Sequence, residues 1–589
     1  MVSISFAITT IAAGAVSSFV LAQSTTTNTL DAASIATFKP NMSAPISAGP
    51  LSASSVGSSM GKEDYAFLQL PATQQLMKAM GGNMSAAALP YLFKDPRLDV
   101  WTTVMAMMVQ AKVDKWDQPR VDSALTLPKY QKPLTKITLL HTEIEIPTED
   151  EDWPDDAAQD VMAATYMREN APFVDDFTQT WKAGECKEGY VMTKVGKMWP
   201  KVHVVWNQRT SDNALKLFVF NGIGSHLVEK LPKQDKDGGT YYAVKLNFMD
   251  ELEVRPGFAK YGADAFFNRH GNIIKIVRQG KTYTPLRTRT AKWEYVKMTF
   301  RGSLIAKITA IDHLMGLHMT VGNYFTTASR EQLPADHPLR RLLKPFTFRA
   351  VAINRAASRS LMWSKAYLHR SLALTEAGLA QMWRYATESF KFEPFPDTIA
   401  RQGVDTLPLP FHQDGLDYWN IVRIFVNDYV NLYYTSDEDV TRDASVVAFY
   451  AFLDTKIPGQ LRPLTSESLK DTLAQAIFWV TAMHNHMGNI AEYVSDPAFT
   501  PAAWVEGELA SRPGSAVRQA VIMALTGLTQ PSVLEDFSHV MLDDQAKDVA
   551  RAFTAAARDV GTKVAARNWG REQPFTTFDT HLMDISVGI

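Results

Sequence analysis

The chain runs to 589 residues, 46% of them hydrophobic and 21% charged, with a formal net charge of -2. That size and composition suit a globular protein with a large buried core, and the near-neutral balance lacks the basic excess that nucleic-acid binding normally shows. A single cysteine, Cys186, allows no intramolecular disulfide, so stability has to come from packing.

Residues Val2 to Val20 are apolar or small and carry no acidic side chain, and Val20-Leu21-Ala22 before Gln23 has the form of a small-residue cleavage site. The pattern predicts a signal peptide over 1–22 and a secreted, extracellular product, although the usual basic n-region is missing. A membrane anchor is the competing reading, disfavoured because the run is short and contains Ser and Thr. Residues 23–62, rich in Ser, Thr, Ala and Gly, read as a flexible leader. Two sequons, at Asn41 and Asn83, are candidate glycan sites.

The acidic stretch from His141 to Asp156 reads as a solvated surface loop leading into a helix. From Lys201 to Val277 the segments KVHVVW, LKLFVF, YYAVKLNF and NIIKIV lie between Gly, Asn and Asp turns and predict a small β-rich insertion. After Trp293 long amphipathic runs predict helix almost to the end. The expected architecture is mainly α: one large helical domain over 63–589, with a minor sheet on its edge.

Three of the thirteen histidines invite a metal ion. His313 and His318 lie within an apolar helix expected from about Tyr295 to Phe325. Residues five apart on a regular α-helix differ by about 140° and would not face one ion. A π-turn, with its i→i+5 hydrogen bonds, would bring them into line, and such turns concentrate at functional sites. A second cluster, His484-Asn485-His486-Met487-Gly488-Asn489, follows the apolar run AQAIFWVTAM. Buried imidazoles there need a metal or a hydrogen-bond partner. Each histidine taken singly also fits a satisfied core position.

Several segments together resemble the lipoxygenases. His313 to Arg355, with its LPADHP turn and closing Ala352-Ile353-Asn354-Arg355, resembles the signature helix of that family. Asp414-Gly-Leu-Asp-Tyr-Trp-Asn420 through Asp428 to Tyr434 resembles its DGL helix. Ala566-Arg567-Asn568 and the ending Asp584 to Ile589 are similar to its C-terminus. The matches keep the family's order and span Trp293 to Ile589. The family's N-terminal lipid-binding β-sandwich has no matching segment.

The resemblance implies a lipoxygenase-type catalytic domain holding one mononuclear non-haem ion, manganese or iron, with manganese favoured by the likeness to compact secreted fungal members. Its implied ligands are His313, His318, His484, Asn489 and the carboxylate of Ile589. His486 is the runner-up third histidine, because His484 and Asn489 are separated by one residue more than the family's usual spacing. His337 matches a family histidine that is structural. The implied reaction is dioxygenation of polyunsaturated fatty acids of the linoleate or linolenate type to hydroperoxides. Hydrogen abstraction would fall to a trivalent metal hydroxide, with no separate side-chain base. Ala357 aligns with the small-residue position that governs regiospecificity and stereochemistry, and equally fits a helix alanine chosen for packing. Arg518, a lone cation in an apolar run, is the candidate partner of the substrate carboxylate, or else snorkels to solvent. The implied partners are the fatty acid and O2, with transient contact at a membrane surface and a monomeric chain.

Three other readings compete. The tripeptide His484-Asn485-His486 spells the HNH label of a nuclease class, but it follows a long apolar helix and lacks a basic footprint. A metal-free lipid-binding relative, or one that rearranges hydroperoxides, would share the fold.

Overall fold

The computed structural model describes residues 135–139, 142–146, 210–232, 239–509 (apart from 349, 363–366, 406, 408, 489, 491–492 and 494–498) and 532–588. The expected signal peptide, leader and sequons, with Arg518, Asn489 and Ile589, lie outside the described residues.

Two small antiparallel units precede the helical body. β1 (Thr135–Leu139) and β2 (Thr142–Ile146) form a hairpin. The acidic stretch is therefore a strand over its Thr-Glu-Ile-Glu-Ile portion and not the expected surface loop. The alternation explains it: Ile144 is buried while the flanking glutamates face outward. Glu145 pairs with Lys456 and its carbonyl accepts from Asn323 Nδ2 at 2.7 Å, which docks the hairpin on the helices behind it.

The second sheet has five strands in sequential order: β3 (Glu229–Lys230), β4 (Tyr242–Val244), β5 (Asp264–Phe267), β6 (Ile273–Arg278) and β7 (Lys281–Tyr283). Arg278 pairs with Lys281 across a two-residue turn, and both turn residues, Gln279 and Gly280, have positive φ. That is the twist-matched turn that favours glycine at its second position. The sheet thus continues past Val277 to Tyr283, beyond the boundary the sequence suggested.

The segment LKLFVF is a correction. It belongs to helix α1 (Asp212–Phe220), which starts on Ser211, whose side chain accepts from Ala214 N. Its residues are buried on several faces, so a helix here carries the same continuous apolar run as a buried strand, and periodicity cannot separate them. KVHVVW lies outside the described residues, and YYAVKLNF is strand only over Tyr242–Val244 before a 3₁₀ turn at Asn247–Glu251.

The rest is helical. The main elements are α2 (Thr290–Lys307), α3 (Asn323–Gln332), α4 (Ala350–Ala357), α5 (Glu376–Ser389), α6 (Pro410–Asn431), α7 (Ala444–Lys456), α8 (Ser466–Phe478), α9 (His484–Gly488) and α10 (Asp544–Asn568). Two π segments interrupt them: Ile308–Gly322 joins α2 to α3, and Trp479–Met483 joins α8 to α9. No described helix is long and apolar enough to cross a membrane.

Helix α6 packs against both α8 and α10. Phe425 stacks on Phe553 with ring centroids 4.6 Å apart, joining α6 to α10. At one end of this contact Asp414, fully buried, accepts from Arg567 Nη1 and from Arg571 Nη1, both at 2.7 Å. Burying that carboxylate without partners would be costly, so the two guanidinium groups fix how α10 crosses α6. The chain after α10 then folds back, and Ile585, Ser586 and Val587 are fully buried.

Candidate metal centre

The first π segment resolves the spacing of its two histidines. Asn323 N donates to His318 O, five residues earlier, and Thr320 Oγ1 donates to Met315 O at 2.9 Å, also five back. These bonds widen the turn, and the imidazoles of His313 and His318 come to lie with centroids 4.7 Å apart. The second π segment ends in an i→i+5 bond from His484 N to Trp479 O. Its Thr481 hydroxyl donates to Ile477 O at 2.6 Å and accepts from Tyr418 OH at 3.0 Å, tying it to α6. This π segment ends just before His484.

His484 then meets the first pair. Its ring centroid lies 5.1 Å from that of His313 and 5.1 Å from that of His318, and its Nε2 is 3.3 Å from His318 Nε2. One nitrogen from each of the three rings falls within 4.8 Å of the other two. All three side chains are buried. Gly488, one turn beyond His484, has no side chain beside His313 Nε2: a Cβ there would stand 3.5 Å from it.

His486 is elsewhere. Its Nε2 pairs with His226 Nδ1 at 2.9 Å, and His226 Nε2 lies 3.2 Å from Asp312 Oδ2. Asp312 in turn accepts from Lys307 Nζ at 2.6 and 2.7 Å. This chain, buried at His486 and partly exposed at His226, Asp312 and Lys307, ties both ligand-bearing segments together. A cavity of about 240 Å³ opens beside it, lined by His226, Lys307, Asp312, Phe390, Trp479 and Met483 among others, and by none of the three clustered imidazoles.

The electrostatics favour neutral rings. Burial pushes His313 well below its ordinary pKa, and the neighbouring His318 and His484 lower it further. Burial lowers His318 to about 4, against the opposing pull of its bond to Asn354. Neutral imidazoles are the form that ligates a metal. For Asp312, burial raises the carboxyl, but Lys307 and His226 outweigh it and hold it below the usual range.

The residues fit a metal ion. His313 Nε2 is buried and makes no hydrogen bond among the described residues, which is costly for a polar atom unless something else binds it. Three converging buried imidazoles suit a first-row transition ion.

The remaining candidates fall as follows. His337 caps a short helix, with Nδ1 accepting from Leu339 N at 3.2 Å and Nε2 3.2 Å from Asp443 Oδ2, so it serves structure. Ala357 is buried at the end of α4, which packs on the first π segment. Val587 reaches that segment too: a Cβ on Gly322 would come within 2.9 Å of Val587 Cγ2.

Sequence reasoning assigned no role to Asn354, Gly322, or the Lys307–Asp312–His226–His486 chain. A signal was present for part of it, since Lys307 and Asp312 are five apart, as are His313 and His318.

Comparison with known proteins accords with this site. The lipoxygenase family model matches residues 275–495. The human polyunsaturated fatty acid lipoxygenase ALOX15B is 25% identical over 338 residues, 51% of this chain and 48% of the relative. A linoleate 9/13-lipoxygenase of Pseudomonas aeruginosa is 32% identical over 181 residues, 29% of this chain and 26% of the relative. The chain therefore spans about half the length, or less, of the relatives it matches. A crystal structure of a coral 8R-lipoxygenase superposes with a TM-score of 0.65, covering 81% of this chain and 82% of that one. At 16% identity that likeness is one of fold.

Proposed function

We propose that this chain, which the lipoxygenase family model matches over residues 275–495, is a metal-dependent dioxygenase that adds O2 to polyunsaturated fatty acids and yields hydroperoxides. The observation that carries this reading is the convergence of His313, His318 and His484 on one buried point. In this proposal these three rings hold a mononuclear iron or manganese ion, with Asn489 and the Ile589 carboxylate completing the set. Bound there, the ion would supply one-electron redox chemistry suited to removing a hydrogen atom from a weak bis-allylic C–H bond.

The chain's own residues supply the rest. Leu314, Leu317 and Met319, buried beside the two histidines along the first π segment, make that segment apolar, and burial of the rings favours their neutral form and excludes water from a radical reaction. Ala357, on the helix that abuts the first π segment, is the proposed determinant of which carbon is oxygenated. Arg518 is the proposed partner of the substrate carboxylate. The names of the human and Pseudomonas relatives support the substrate class, and the apolar N-terminal run supports a secreted product.

The test is direct. The full chain, purified and offered linoleate and O2, should contain close to one iron or manganese ion and form conjugated-diene hydroperoxide. Absence of both metal and diene would overturn the proposal; consumption of added hydroperoxide without diene formation would replace it with a rearranging activity.

A further inference from the structure

Asn354, on α4, is fully buried and makes two reciprocal bonds to a single residue of the cluster. Its Nδ2 donates to the His318 carbonyl at 2.9 Å, and its Oδ1 lies 2.9 Å from His318 Nδ1. The chemistry of these groups fixes their roles. A backbone carbonyl only accepts, so the amide must present its NH2 there; the reverse orientation would set oxygen against oxygen. The other arm is then Oδ1, which also only accepts, so Nδ1 of His318 has to be the donor. A neutral imidazole carries one N–H. Nε2 of His318 is therefore left with its lone pair, 3.3 Å from His484 Nε2.

We propose that Asn354 is a positioning residue that locks His318 in the tautomer protonated at Nδ1, so that Nε2 faces the centre of the cluster as a ready metal ligand. The inference rests on the metal-centre reading above and adds to it the device that orients one ligand. A partner on the far nitrogen of a ligating histidine sets both the tautomer and the ring angle. Asn354 does so with a backbone anchor of its own: its second bond goes to the carbonyl of the residue it orients. The ring and the π-turn that carries it are thus held by one side chain, the ring by Oδ1 and the turn's carbonyl by Nδ2.

The experiment uses the full chain, stripped of metal and then titrated with Mn2+ or Co2+ against a competing chelator. In Asn354→Leu both bonds are lost, and affinity should fall about 10- to 100-fold. In Asn354→Asp the acceptor for Nδ1–H is kept, but the donor to the carbonyl is replaced by an oxygen that faces it, so affinity should fall less than in Asn354→Leu. Equal loss in both variants would mean that the carbonyl bond alone matters, and would overturn the tautomer lock. Unchanged affinity in Asn354→Leu would overturn it too.

A readout on the parent protein needs no folded variant. With 15N-labelled histidine in the metal-free chain, the His318 resonances should show Nδ1 protonated and Nε2 bare; the opposite pattern would sink the inference. If the parent binds neither ion, the metal-centre reading fails and takes the lock with it. Binding that is insensitive to Asn354 removes the lock alone.

Discussion

The two segments that carry the clustered imidazoles use the same irregularity differently. In the first, a 15-residue π run contains both ligand candidates, and its i→i+5 bonds set the relation of His313 to His318 directly. In the second, a five-residue π run ends just before His484, and the following turn is α-helical. There the π bonds set no pair; they shift the phase of the turn that follows, so that His484 faces the cluster and His486 faces His226. A π-turn can thus align two residues five apart, or choose which of two nearby residues points inward.

The difference can be broken most sharply at the second segment. His484→Ala should abolish stoichiometric metal content and turnover, because one of three imidazoles is lost. His486→Ala should keep the ion, with affinity within about tenfold, as expected for a residue outside the ligand set. Metal analysis and chelator competition read both; metal loss in the His486 variant alone would reverse the assignment.

The first segment is more sensitive to what packs on its outer end. Gly322 admits Val587 so closely that Gly322→Ala has to displace it. We expect a destabilisation of about 1–3 kcal/mol, the usual range for overpacking a filled core. If the buried tail helps to complete the metal site, the variant should also bind Mn2+ or Co2+ more weakly than a control such as Gly570→Ala, where a Cβ meets nothing closer than 3.8 Å. A variant with unchanged stability and affinity would separate the tail from the π segment.

The smallest expected effect lies on the same tail. Asp584 is half-buried, and burial followed by the nearby Glu535 raises its carboxyl to about 7. Its folded pKa lies above its unfolded value of about 3.9. The native state therefore holds the proton more tightly, and the stabilisation is complete below about pH 4 and lost as pH rises through 7. Asp584→Asn should match the parent's thermal midpoint near pH 4 and exceed it by roughly 2–3 °C at pH 8. A gap that stays constant over this range would show that Asp584 does not titrate as described.

Much of the site was legible in the chain. The H-x4-H spacing demanded a π-turn because an α-helix cannot align residues five apart, and the turn is there. The order of the LPADHP, DGL and Arg567-Asn568 segments identified the fold, and His337 takes the structural place that its resemblance implied. Less of the lighter architecture was readable. LKLFVF passed for a strand because its helix is buried on several faces, and Thr-Glu-Ile-Glu-Ile passed for a loop because its charges hid a two-residue period.

By itself the sequence determined what depends on spacing along one element: the helical body, the π irregularity and the candidate pair His313 and His318. Tertiary structure decided what depends on phase and on contacts between elements. It turned His484 toward the cluster and His486 away, set Asn354 against His318 from 36 positions distant, and laid Val587 on Gly322. Those outcomes follow from where helices cross, and a single helix's periodicity holds no information about the rotation of its neighbour.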